Sequence, residues 1–199
     1  MTERALFDGP FYFLRHGESE ANAASLIAGS TDTPLTPQGR AQAQAAAERV
    51  RGLGIAAVHT STLARAADTA APIAAALGLP VHFWDGLCER HWGDWELQPL
   101  ARIRDRAITA PGGESLTDYE DRVWRTCAGL SGPAPALIVA HSGTIRVLRK
   151  RLGIGDVFEW VGNAVPVRFD PPAGGTGAWA MSTVGGGAVD DYAVRYTGT

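Results

Sequence analysis

Two apolar runs, residues 11–14 (FYFL) and 136–140 (ALIVA), show no alternation with polar positions. A short continuous run of this kind predicts a strand buried on both faces, as in a parallel sheet covered by helices. Helical periodicity occupies the intervals. Thr36 followed by Pro37 predicts an N-cap and first turn, with AQAQAAAERV carrying the helix to about Gly52. Residues 55–59 read as a second strand, and Ser61 as the cap of an Ala-rich helix ending near Gly78, before Pro80. Residues 81–84 form a third, shorter strand. Ser115 with Asp118 predicts the start of a helix running to about Gly129, and residues 144–152 a helix after the 136–140 strand. Residues 165–170, 178–184 and 192–196 are late strands, and the glycine runs PPAGGTG and VGGGAVDD between them suit turns, because no helical pattern follows either. The alternation predicts an α/β fold, a three-layer α/β/α sandwich with a mostly parallel central sheet. A chain of 199 residues fits one domain spanning 1–199, with the irregular, Trp- and Arg-rich stretch at about 85–113 as a short lid.

Composition narrows the function class. A net charge of −3 and a pI near 5.9 argue against nucleic-acid binding through a broad basic field. Lys150 is the only lysine among eighteen cations, so an Arg carries information by position and not by type. Cys88 and Cys127 form neither a C-x-x-C motif nor a disulfide framework, as expected in a reduced compartment. The N-terminus lacks a sustained apolar stretch, and no run suits a membrane span. The expectation is a soluble cytoplasmic protein without membrane or nucleic-acid partners.

Candidate chemistry gathers at the strand ends. The first and fourth strands end in His16 and His141, each at a glycine-marked turn. In a parallel sheet the C-terminal strand ends form the ligand crevice, and helix starts there attract anions. If those strands are neighbours, the two imidazoles share a pocket. Arg65, one turn into the helix after the second strand, reaches the same edge. Arg15, Arg65 and His141 would then surround a phosphoryl group with His16 as nucleophile, a cage suited to charge spread over phosphoryl oxygens. A neutral imidazole attacking phosphorus needs neither metal nor cofactor, but the leaving alkoxide needs an acid. Glu89, on the segment with Trp84, Trp92 and Trp95, is the favoured acid, with a pKa expected to be raised by those apolar neighbours. Glu18, Glu96 and Glu114 are weaker alternatives, and spacing does not separate Glu89 from Glu96.

LRHGESEAN, STLARAADTA, the Glu89 segment, PGGES and VAHSGT, in that order, resemble the histidine phosphatase superfamily, of phosphoglycerate-mutase-like fold. The likeness spans roughly residues 10–150. It implies a phosphohistidine on His16, a phosphate pocket of Arg15, Arg65 and His141, and Glu89 as proton donor. It places Asn22 on the phosphoryl oxygens, and Ser19, Gly29 and Ser142 on the substrate side. The run Glu89-Arg90-His91-Trp92-Gly93 resembles the mutase pattern with Trp for Tyr, whereas Gly93-Asp94-Trp95-Glu96 resembles the phosphatase branch, with Leu97 in place of its Gly. The mutases carry a longer segment before PGGES, whose basic residues grip a substrate carboxylate. A short lid exposes a phosphoenzyme to water, so the resemblance implies a metal-independent phosphomonoesterase. The alternatives are a phosphoglycerate mutase or a non-catalytic phospholigand-binding protein of the same fold. The implied partner is a small phosphate ester or inorganic phosphate, with room for a homodimer. Arg90, Arg102, Arg104 and Arg106 stay open between a solvated face and substrate contacts. His59, His82 and His91 lack metal-ligand spacing and read as structural.

Competing signatures fail on inspection. Asp94 and Pro133 stand where a cysteine phosphatase needs Arg, six residues after each Cys. The run 140–144 is not G-x-S-x-G, and Lys150 lies in no P-loop motif.

Overall fold

The computed structural model describes residues 3–154 and 161–185. Along them run β1 (Arg4–Ala5), β2 (Phe11–Arg15), α1 (Glu20–Ala23), α2 (Pro37–Val50), β3 (Ala57–Ser61), α3 (Ala64–Leu77) and β4 (Val81–Trp84). After the irregular stretch come α4 (Leu116–Gly129), β5 (Ser131–Gly132), β6 (Ala136–Ala140), α5 (Ser142–Arg151), β7 (Pro166–Asp170) and β8 (Ala180–Thr183). The expected strand at 192–196 and most of the second glycine run lie outside the described residues.

The main sheet has the order β4-β3-β6-β2-β7-β8. Its first four strands are mutually parallel, while β7 is antiparallel to β2 and β8 to β7. β1 and β5 pair in a separate two-stranded ribbon. The unbroken apolar runs follow from burial on both faces. Phe11 and Phe13 of β2, with Ile138 of β6, pack against Tyr119 and Val123 of α4 and Ile145 and Leu148 of α5. Tyr12 and Leu14, with Leu137 and Val139, pack against Ala46 and Val50 of α2 and Ala70 and Ile73 of α3. Each large side chain so buried contributes about 1.5–3 kcal/mol, so both layers of helices are held by the same two strands. No helix among the described residues is long and apolar enough to cross a membrane.

The caps of α2 and α4 fall where the sequence predicts them. Thr36 Oγ1 accepts from Gly39 N at 2.9 Å, and Ser115 Oγ from Asp118 N at 3.0 Å. Ser61 is different. It closes β3 and does not cap α3, which starts three residues later; the first helical N–H, that of Ala64, is taken by the Asp32 carboxylate at 2.9 and 3.1 Å. This cap comes from a residue 32 positions away, beyond the reach of any local pattern. Helix α5 also begins earlier than expected, at Ser142, so the residue after His141 is already helical.

Residues 85–113 hold three single 3-10 turns, Asp85–Leu87, Gly93–Trp95 and Leu100–Arg102, and no strand. Trp92 and Trp95 stack with centroids 6.1 Å apart, whereas Trp84 sits 39% exposed on edge strand β4 and takes no part in that packing. Its indole N–H donates to His59 Nδ1 at 3.1 Å.

Candidate active site

The strands carrying the two histidines are adjacent, with Arg15 paired to Ala140. The His16 N–H continues the ladder to Ala140 O at 3.0 Å, and the two imidazole centroids lie 5.2 Å apart. Gly17 O, which can only accept, lies 2.7 Å from His16 Nδ1. That nitrogen therefore carries the proton, and Nε2 carries the lone pair. Burial, then the charges of Arg65, His141 and Arg15, holds His16 well below the usual histidine range, so the ring is neutral at neutral pH. A side chain on Gly17 would meet Gly39 O at 2.4 Å, so only glycine allows α2 to approach the nucleophile turn this closely.

His141 is fully buried; its Nε2 is 2.9 Å from Ser61 Oγ, and its Nδ1 has no hydrogen-bond partner. The serine at the end of β3 thus orients the second imidazole. Burial and then Arg65 and Arg15 also hold His141 well below its ordinary value. Arg65, 1% exposed, donates from Nη2 to Gly29 O at 2.6 Å and from Nη1 to Thr31 O at 2.9 Å.

Glu89 reaches the same place from the irregular segment. Its carboxylate accepts from Arg90 N and from Gly143 N, both at 2.9 Å, with Ser142 Oγ at 3.4 Å. The Gly143 contact is an amide of the first turn of α5, and a side chain there would collide with Glu89 Oε1 at 2.2 Å. The expected raised pKa is not found. Burial does push Glu89 up, but the N–H groups of Arg90 and Gly143, the Tyr119 hydroxyl and Arg65 together outweigh it and hold the group below the usual carboxylate range. The alternative acids are engaged elsewhere. Glu18 accepts from Thr36 Oγ1 at 2.8 Å, Glu114 pairs with Arg122 at 2.7 Å, and Glu96 lies off the cavity within a cluster of donors.

Arg15, His16, Asn22, Gly29, Arg65, Glu89 and Ser142 all line one cavity of about 470 Å³, whereas His141, expected in the phosphate pocket, is fully buried beside His16 and is not among the lining residues. Nor is Ser19, expected on the substrate side. It is fully buried and caps α1, its Oγ accepting from Asn22 N at 3.3 Å. It positions Asn22 from behind. The Asn22 amide oxygen accepts from Ser19 N and from Asn163 Nδ2, both at 3.3 Å, which turns its NH₂ away from these donors. Asn163 also donates to His16 O at 2.8 Å, a role that no sequence pattern announces.

The arginines of the irregular segment divide. Arg90 is 2% exposed and donates to the carbonyls of Glu114, Arg106 and Ile108 at 2.9, 2.5 and 3.0 Å, stacking over Trp92. It folds the loop that brings Arg106 to the cavity wall, while Arg102 and Arg104 stay exposed outside it. Arg146 is a further wall residue that sequence reading missed, although it sits four positions after Ser142 and so shares its helix face. Burial and the nearby Arg106 push the Arg146 guanidinium down to about 10.

The model of the histidine phosphatase superfamily (branch 1) matches residues 11–160. The chain belongs to this superfamily. It is 38% identical over 161 residues to the glucosyl-3-phosphoglycerate phosphatase of Mycolicibacterium vanbaalenii, covering 70% of this chain and 72% of the relative. It is 36% identical over 149 residues to the probable phosphoglycerate mutase GpmB of Salmonella paratyphi B, covering 65% and 68%. Among solved structures, a mycobacterial glucosyl-3-phosphoglycerate phosphatase in complex with VO3 aligns with a TM-score of 0.75 at 30% identity, over 87% of this chain and 97% of that one. Transfer through a phosphohistidine is general to the superfamily, and the activity it supports here is phosphoric monoester hydrolysis.

Proposed function

We propose that the protein hydrolyses a small phosphomonoester by transferring its phosphoryl group to His16 Nε2. The observation that carries this reading is the Nδ1–H bond to Gly17 O at 2.7 Å, which leaves a neutral Nε2 in a cavity walled by Arg15, Arg65 and Glu89. The arginines and the Asn22 amide hold the phosphoryl oxygens as charge spreads over them in the transition state. The Nε2 lone pair attacks phosphorus as the ester P–O bond breaks, and the leaving oxygen takes a proton at Glu89. Because Glu89 is ionised in the free enzyme, that proton enters with the substrate monoanion. The like charge of the bound phosphate favours its sharing with the carboxylate. Glu89 then removes a proton from the water that attacks phosphohistidine, releasing inorganic phosphate and restoring His16. We read residues 85–113 as the lid on the leaving-group side.

The resemblance to a phosphoglycerate mutase supports a second reading, in which the phosphoryl group returns to a glycerate. A panel of small phosphomonoesters assayed with EDTA, alongside isomer interconversion with a bisphosphoglycerate primer, separates the two. Phosphate release unaffected by EDTA and without isomerisation is expected. Primer-stimulated isomerisation faster than phosphate release would favour the mutase, and no turnover of any ester would leave a phospholigand-binding protein.

A further inference from the structure

Glu96 is the last residue of the G-x-W-E run, and neither nucleophilic attack nor proton transfer uses it. Its carboxylate collects donors from two stretches of chain. Ser30 N, Ser30 Oγ, His91 Nδ1 and Trp92 N lie 2.8, 2.9, 2.9 and 3.0 Å from Oε1, and Thr31 Oγ1 donates to Oε2. Burial pushes Glu96 up, but the donors from Thr31, Ser30 and Trp92 outweigh it and hold the group ionised, the form that accepts on both oxygens. Two of those donor residues, Ser30 and Thr31, stand in the loop whose carbonyls at Gly29 and Thr31 take both terminal nitrogens of Arg65. The link is reinforced by Leu97 N to Ile27 O at 2.7 Å, Ile27 N to Gln98 O at 2.9 Å and Leu100 N to Ser25 O at 2.9 Å. Loop 25–31 and segment 91–100 are therefore tied by hydrogen bonds into one unit, and the carbonyls of that loop hold both terminal nitrogens of Arg65.

We propose that Glu96 is a positioning residue for phosphoryl transfer, locking loop 29–31 so that its carbonyls orient the Arg65 guanidinium on the phosphoryl oxygens. This rests on the phosphatase reading above. Glu96 does not line the cavity, so its influence passes through Arg65. A guanidinium misplaced by an ångström loses transition-state contacts while ester binding by the remaining groups persists, so kcat falls more than KM rises.

The test is a double-mutant cycle on nitrophenyl phosphate hydrolysis, with vanadate inhibition as a second readout. Glu96→Ala is expected to lower kcat about 30-fold and weaken vanadate by a similar factor. Glu96→Gln keeps one acceptor oxygen and can donate to the Thr31 hydroxyl, so it should return kcat to within about 3-fold of wild type. In an Arg65→Ala background, Glu96→Ala should add less than about 2-fold, since the group it positions is gone. Thr31→Val, which removes one donor without emptying the site, should show the same absorption on a drop of about 3-fold, and carries the test if Glu96→Ala does not fold. Independent, multiplicative losses would overturn the proposal while leaving the phosphatase reading intact. An Arg65→Ala enzyme as fast as wild type would overturn both.

Discussion

The two walls of the cavity are built in different ways. On one side Arg15 and His16 stand at the end of β2, with the fully buried His141 next to them at the end of β6, where sheet hydrogen bonds and helices packed on both faces hold them. On the other side Glu89, Trp92 and Arg106 come from a segment with no strand and only single helical turns, held by the polar clamps of Arg90 and Glu96. The phosphoryl wall requires positional accuracy for a group common to every ester, and a buried sheet supplies it. On the mechanism proposed above the irregular wall meets the leaving alcohol, and side-chain-to-carbonyl clamps allow its shape to change without disturbing the core.

The contrast can be broken from the rigid side first. His16→Ala should lower turnover of every phosphomonoester by about 10,000-fold or more, with an unchanged circular dichroism spectrum. Glu89→Gln should be selective, slowing alkyl phosphates about 100- to 1,000-fold and nitrophenyl phosphate, whose leaving group needs no proton, by less than about 10-fold. Equal slowing of both would remove Glu89 from the acid role.

The pH profile sharpens the same division. With His16 and Glu89 both held below their ordinary values, kcat/KM should show no acid limb near 6.5 and should fall above about pH 6, as the substrate loses its second proton. A plateau extending past pH 7.5 would mean that Glu89 carries the proton in the free enzyme. Stability should follow the imidazoles. The unfolded chain protonates His16 and His141 near 6.5 while the folded one does not, so their contribution is full above about pH 6.5 and declines as pH falls below it. Urea unfolding at several pH values reads this directly.

Smaller effects probe the clamps. Arg90→Leu leaves three carbonyls without their donor and should cost about 3 kcal/mol of unfolding free energy, measurable in urea, with a larger loss on esters of bulky alcohols than on nitrophenyl phosphate. Ser61→Ala, which frees the His141 imidazole, should lower kcat only about 5-fold.

The rigid wall was the legible one. Continuous apolar runs ending in histidine locate β2 and β6, and Thr36 and Ser115 cap their helices as local chemistry demands. What escaped depends on residues far apart in the chain. Asp32 caps α3 in place of Ser61 from 32 positions away, and Asn163 holds the His16 carbonyl across 147 positions. The pKa of Glu89 escaped for a related reason. Nearby tryptophans in sequence suggested desolvation alone, whereas the fold turns the amides of Arg90 and Gly143, the Tyr119 hydroxyl and Arg65 onto the carboxylate, which together reverse the outcome. Among the arginines of the irregular segment, composition was silent; only the carbonyls gathered by Arg90 separate Arg106 from Arg102 and Arg104.

The most direct measurement is rapid acid-free quench of turnover followed by phosphorus NMR and peptide mapping. A phosphoramidate signal that is stable in base, lost in acid and mapped to residue 16 is predicted. It should be absent from His16→Ala but should accumulate in Glu89→Gln supplied with nitrophenyl phosphate, where the water-activating base is gone. Steady hydrolysis by wild type with no such adduct on residue 16, or an equal adduct on His16→Ala, would contradict the account.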